Sequence, residues 1–176
     1  MKKYLLLLIA LLLCVVPTFA GAEGAEAFYF APFEAEDLNG EETVTEAVFE
    51  NAVFTFINFW ATWCPPCVAE LPALAVLDEE TDGDIQVIGV LMDAISPRGE
   101  RDENAIAAMR VLLDNAQAEF PVLYPEGEAI LGVMFGIQAV PTTLVVDQQG
   151  LVVDIHVGAM SLQQWLAYAD SLLDDA

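Results

Sequence analysis

Positive charge is nearly missing from this chain. Only 5 of its 176 residues are Lys or Arg, against 28 Asp or Glu, and no lysine follows Lys3. Nucleic acids and anionic lipid headgroups are held by Lys and Arg that neutralise phosphate, so neither is expected as a partner. Histidine occurs once, as His156, and cysteine three times, as Cys14, Cys64 and Cys67. A structural zinc site takes four ligands, mostly Cys and His, and the supply here falls short. No metal and no cofactor is therefore expected. Long apolar runs are scarce too. The run Tyr4–Val16 is shorter than the roughly 20 residues that a membrane helix needs.

That run has the layout of an export signal. Lys2 and Lys3 form a basic start, Tyr4–Val16 the apolar middle, and Pro17 ends it. Cleavage is expected after Ala20 or Ala22, and a retained N-terminal anchor is the alternative. Cys14 follows Leu13, whereas lipid attachment wants a small residue before the cysteine, so Cys14 is read as part of the apolar run. Residues 1–22 are thus a signal peptide or anchor, 23–27 a short acidic tether, and 28–176 one domain. Without the signal, three arginines face 28 acids, a formal charge of −25, and Cys64 and Cys67 are the cysteines that remain. The domain is expected outside the cytoplasm, in the periplasm or cell envelope, where disulfides persist. It would touch a membrane only through a retained anchor.

Within the domain, residues 52–60, "AVFTFINFW", and 85–93, "IQVIGVLMD", read as strands buried on both faces. Residues 67–80 and 103–117 read as helices, the second with Ile106, Met109, Leu113 and Ala116 at helical spacing. "FPVLYP" is a short extended piece, and 128–136 a short helix ending at glycine. Strands at 142–147 and 151–157 flank "QQG" and predict a hairpin. The last helix starts at Ser161, with Ser161 able to cap it and Gln164 able to reach back. Residues 28–49 could add a small hairpin. The order predicts an α/β fold: a central mixed sheet with helices on both faces, its early strands parallel and its late pair antiparallel.

The decisive stretch is "FWATWCPPC", residues 59–67. A c-type haem site would need His after the second cysteine, and Val68 stands there. A purely structural Cys64–Cys67 disulfide closes a very small loop and gains little from it. Redox exchange is the remaining reading. Cys64 falls at a helix N-terminus, where free N–H groups and the helix dipole favour a thiolate, the attacking species in exchange. Cys67 lies one turn further in, placed to resolve a mixed disulfide. Pro65 and Pro66 stiffen the pair at positions that tolerate a missing N–H. Trp60 and Trp63 could wall the site, although core packing explains Trp60 equally well.

"FWATWCPPC" resembles the thioredoxin superfamily, and "WCPPCVAELPAL" resembles its exported TlpA/ResA-like thiol–disulfide reductases. The likeness extends through "VPTT" (140–143) to the C-terminal half. It implies a thioredoxin-like fold with the cysteine pair at a helix N-terminus. It further implies Cys64 as nucleophile, Cys67 as resolving thiol, Pro141 as a cis proline facing them, and Glu70 as an acid beside them. Trp63, Pro66, Val140 and Pro141 become the candidate substrate-contacting residues. Spacing alone puts Glu70 on the face of Cys67; a solvated carboxylate is its rival reading. Asn58 stands where cytoplasmic thioredoxins carry a buried acid, so no ionisable group is expected at that position. Pro72 is expected to kink its helix.

The implied partners are disulfide-bearing client proteins and a membrane thiol electron donor, with cytochrome c maturation or envelope redox homeostasis as candidate uses. A disulfide-forming oxidant is one alternative. A peroxiredoxin-like peroxidase is another, but it would place Thr three residues before the cysteine, and Thr62 lies two before Cys64. A binding module without turnover is the non-enzymatic alternative.

Overall fold

The computed structural model describes residues 28–40, 42–81, 83–174 and 176. The expected signal (1–22) and tether (23–27) lie outside the described residues.

The central sheet has five strands. β3 (Phe54–Trp60) lies in the middle and pairs in parallel with β4 (Ile85–Leu91), which pairs in parallel with the two-residue edge strand β5 (Val122–Leu123). On the other side β3 pairs antiparallel with β6 (Thr142–Asp147), and β6 with β7 (Val152–Val157). The expected mixed sheet is the observed one. Every residue of β3 is buried, as its run of β-branched and aromatic residues requires. A small antiparallel hairpin, β1 (Glu34–Glu36) and β2 (Thr43–Thr45), precedes the sheet, and a 3-10 turn (Glu46–Asn51) leads from it into β3.

Side-chain alternation along the strands divides the core in two. Phe56, Trp60, Val87, Leu91 and Val145 face α1 (Pro65–Glu80), α2 (Glu103–Ala116) and α4 (Leu162–Asp174). Ile57, Phe59, Ile88, Val90, Leu144 and Val146 face the other way. They are covered by Phe30, Phe33 and Phe49, whose rings meet at 5.6–5.9 Å, and by Ile130 of α3 (Gly127–Gly136). Trp60 is fully buried and belongs to the core, so it does not wall the site.

The helix ends follow from local chemistry. Asp102 caps α2 by accepting from the N–H groups of Asn104 and Ala105, and Gln117 closes it in the left-handed region at φ 54°. At α4 the sequence expectation is met in part. Gln164 reaches back to the Ser161 N–H at 3.0 Å, but the Ser161 hydroxyl donates to Gln164 Oε1 rather than capping the helix. Pro72 sits inside α1, and the helix runs past it to Glu80.

Two acids do backbone work where strands run short of partners. The Val87 N–H on β4 donates to Asp78 Oδ1 at 2.7 Å, and burial raises the Asp78 pKa. Asp37 accepts from the N–H groups of Val122, Asn39 and Gly40, each at 2.9 Å, and so ties the hairpin to β5. Arg101 joins the hairpin to α2 through a bidentate contact with Glu36, and its guanidinium lies 4.8 Å over the Tyr124 ring. That contact lowers the Glu36 pKa.

Candidate active site

The site forms where β3 gives way to α1, at the carboxyl edge of the parallel strands. The Cys64 N–H donates to the Ala61 carbonyl at 3.1 Å, closing a tight turn over Ala61–Cys64. Cys64 is the N-cap residue of α1, and its sulfur accepts from the Cys67 N–H at 3.3 Å. Pro65 and Pro66 occupy the first helical positions, where no N–H is required. Cys64 and Cys67 are joined in a disulfide with Cα atoms 5.3 Å apart. Cys64 is 3% exposed and Cys67 is 0% exposed, so the outer sulfur is the one that solvent and partners reach.

A second segment faces the pair. The Val140–Pro141 peptide is cis, and Cys64 Sγ lies 3.7 Å from the Val140 carbonyl oxygen. The Val140 N–H makes no backbone hydrogen bond among the described residues, which leaves it free for an extended partner. Pro141 itself is buried, and its carbonyl accepts from the Gly158 N–H at 2.9 Å. Trp63 projects outward, 69% exposed, and Pro66 is exposed beside it. The structure thus gathers Cys64, Cys67, Val140 and Pro141 at one place, with Trp63 and Pro66 on the rim.

Glu70, one turn after Cys67, is 2% exposed. The rival reading of it as a solvated helix carboxylate therefore fails. The sequence shows which face of α1 Glu70 occupies but not what covers that face, and the cover comes from Asn58 on β3 and from the Met160 segment 90 residues away. Oε2 accepts from the Met160 N–H at 3.2 Å, and Oε1 accepts from Asn58 Nδ2 at 3.2 Å. The indole N–H of Trp165 faces the same carboxyl without closing a hydrogen bond of ordinary geometry. Burial pushes the Glu70 carboxyl up to about 7, and the donors from Met160 and Asn58 pull it part of the way back.

Three further residues around the site were given no role from the sequence, although Thr143 lies within "VPTT". Thr143, opposite Asn58 in the β3–β6 register, accepts the second Asn58 N–H at 2.9 Å. Asn58 brings no ionisable group, but it fixes the acid that α1 supplies in its place. Met160 contributes only its backbone, which side-chain patterns cannot reveal. Asp93, just past β4, takes both donors of Thr62. The one signal available for Asp93 was its position at the end of the predicted buried strand 85–93; the strand itself stops at Leu91, and Asp93 lies in the 3-10 turn that follows.

Chemically, the site can hold a dithiol or a disulfide, present its outer sulfur to an extended chain, and exchange a proton near neutrality through a buried carboxyl. The chain is similar to proteins named for thioredoxin-like structure or thiol–disulfide chemistry. The chain is 30% identical over 132 residues to the thioredoxin-like protein YneN of Bacillus subtilis strain 168, covering 75% of this chain and 71% of that one. It is also 30% identical over 131 residues to the thiol-disulfide oxidoreductase ResA of Halalkalibacterium halodurans, covering 74% and 68%. Among solved structures it resembles the exposed lipoprotein thioredoxin of Streptococcus pneumoniae strain TIGR4, with a TM-score of 0.62 and 25% identity, covering 80% of this chain and 99% of that one. A model of the redoxin family matches residues 16–172. The protein is a thiol–disulfide oxidoreductase with a thioredoxin-like fold, and the chain belongs to the redoxin family.

Proposed function

We propose that this oxidoreductase works outside the cytoplasm as a reductant of protein disulfides, with Cys64 as nucleophile and Cys67 as resolving thiol. The Cys64 thiolate attacks a client disulfide, a mixed disulfide forms, and one client thiolate leaves. Cys67 then gives up its proton, attacks Cys64 Sγ, and releases the second client thiolate. Two electrons pass from the dithiol to the client, and the pair is left as the Cys64–Cys67 disulfide. A thiol donor at the membrane reduces it again. Val140 offers its backbone to the client, Pro141 holds that segment against the sulfurs, and Trp63 and Pro66 border the contact. Clients in cytochrome c maturation or in general envelope redox balance suit this role.

The observation that carries the reading is the buried Glu70 carboxyl behind Cys67. With a pKa of about 7 it can take the Cys67 proton and return it at physiological pH. Once ionised it disfavours a neighbouring thiolate. That works against an oxidant, whose power rests on a stable thiolate. The peroxidase alternative finds little support, because the Thr62 hydroxyl is already donated to Asp93.

Trapping tests the proposal. Cys64→Ser should abolish reduction of a protein disulfide, and Cys67→Ser should accumulate a mixed disulfide on Cys64. Clients recovered that way from the native host identify the substrate. The reduction potential should lie below about −200 mV, and a value near −120 mV would favour the oxidant. If both cysteine variants keep normal turnover, the redox reading is wrong.

A further inference from the structure

The turn that carries Cys64 is held from outside by a residue whose side-chain hydrogen bonds, among the described residues, all go to Thr62. β3 and β4 are parallel neighbours, with Trp60 opposite Leu91 at their ends. Two residues beyond each, Thr62 and Asp93 meet. The Thr62 N–H donates to Asp93 Oδ1 at 3.2 Å and Oδ2 at 3.1 Å, and its hydroxyl donates to Oδ2 at 2.5 Å. The turn cannot satisfy that N–H itself, because its own closing bond runs from Cys64 to Ala61. Without Asp93, the backbone two residues before the nucleophile has no anchor. Asp93 is half-buried, where a carboxylate acts more strongly than in open water.

We propose that Asp93 is a positioning residue for Cys64: it clamps the Ala61–Cys64 turn through both donors of Thr62 and sets a negative charge beside the nucleophile's turn. This rests on Cys64 being the nucleophile. The clamp fixes the direction in which Cys64 leaves the turn, and with it the line of attack along the Val140 segment. The charge disfavours the Cys64 thiolate, in the same sense as Glu70. Among the described residues the neighbouring segments 61–66, 137–141 and 158–161 bring no titratable group besides the cysteines. Asp93, bonded to the turn that carries Cys64, and Glu70, buried on the helix that carries Cys67, are the acids joined to the segments that hold the pair.

The test follows the alkylation rate of the reduced protein against pH, and its reaction with a small aromatic disulfide. The alkylation profile gives the Cys64 pKa whether or not exchange occurs. Asp93→Asn keeps an acceptor for the turn and removes the charge. It should lower the Cys64 pKa by at least about half a unit, which makes alkylation below that pKa roughly threefold faster. Thr62→Val keeps the charge and removes the hydroxyl. It should lower the limiting high-pH rate with the disulfide by at least about threefold while the pKa stays near the parent's. Thr62→Ser should restore that rate, and the Asp93→Asn/Thr62→Val pair should fall no further than the slower single variant. An unmoved pKa in Asp93→Asn, or a parent-like limiting rate in Thr62→Val, overturns the proposal and leaves the redox reading intact. A parent protein that fails to react with the disulfide refutes the redox reading instead, while the Asp93→Asn pKa shift still decides whether the charge acts on Cys64.

Discussion

Replacing Glu70 by glutamine should change how stability depends on pH, and the structure supplies the size of the effect. Burial raises the Glu70 pKa from 4.5 to about 7. Well below pH 4.5 both the folded and the unfolded chain hold this proton, and the group does not influence stability. As pH rises toward 7, the unfolded chain releases the proton while the folded chain keeps it, so stability falls through that window. Above it the full penalty stands. A shift of about 2.5 units, at about 1.4 kcal/mol per unit, gives an upper bound of about 3.5 kcal/mol. Glu70→Gln removes this dependence. It also turns an amide N–H toward donors from Asn58 and Met160, a mismatch that costs about 1–3 kcal/mol at every pH. The variant should therefore be less stable than the parent near pH 5. The gap should close, or reverse, by about 2–3 kcal/mol near pH 8. Urea unfolding of the oxidised protein measures this cleanly, because the thiols then do not titrate. Glu79→Gln, at an exposed position of the same helix, serves as control and should track the parent. A gap between Glu70→Gln and the parent that stays constant across the pH range would refute the assignment of a buried, pKa-shifted carboxyl.

Two further outcomes are expected. Asp102→Ala removes the cap that holds the Asn104 and Ala105 N–H groups, and should lower stability by about 1 kcal/mol in urea titration with exchange kinetics unchanged. Trp63→Ala, at a position 69% exposed, should leave stability within about 0.5 kcal/mol of the parent. It should slow reduction of a protein disulfide while leaving reduction of a small disulfide unaffected, and equal slowing of both would take Trp63 out of client contact.

Much of the architecture was legible because its causes are local. The unbroken apolar run in β3 requires cover on both faces, and both faces are covered. Ile106, Met109, Leu113 and Ala116 at helical spacing predict the apolar stripe of α2; the first three are buried, and Ala116 at the helix end is half-buried. The cysteine pair with prolines between its members predicts a helix start, and α1 begins at Pro65. What stayed hidden depends on pairs distant in sequence. The extended piece in "FPVLYP" was legible, but not its place at the sheet edge, where Val122 and Leu123 pair with β4 and Asp37, 85 residues earlier, takes the Val122 N–H. Trp60 could not be assigned to core or site until Gly89 was known to lie against its indole and the ring to be fully buried.

Glu70 and Asn58 show most plainly how the site departs from a reading by position. Taken alone, the neutral residue on β3 suggests a site without a buried acid. The acid is present, but it enters from α1, and Asn58 meets it from below with one N–H while giving the other to Thr143. The remaining cover comes from the Met160 backbone and the Trp165 ring, at the start of α4. Donors on β3 and on the segment that docks α4 therefore converge on one carboxyl. None of them carries a charge, so they can only moderate the cost of burying it, and the balance leaves the pKa near neutrality. A lysine or arginine at the same place would hold the carboxylate ionised and end its use in proton transfer. The scarcity of positive charge in this chain is thus consistent with the chemistry proposed for its site, because an acid without a counter-ion can both accept and return the proton of Cys67.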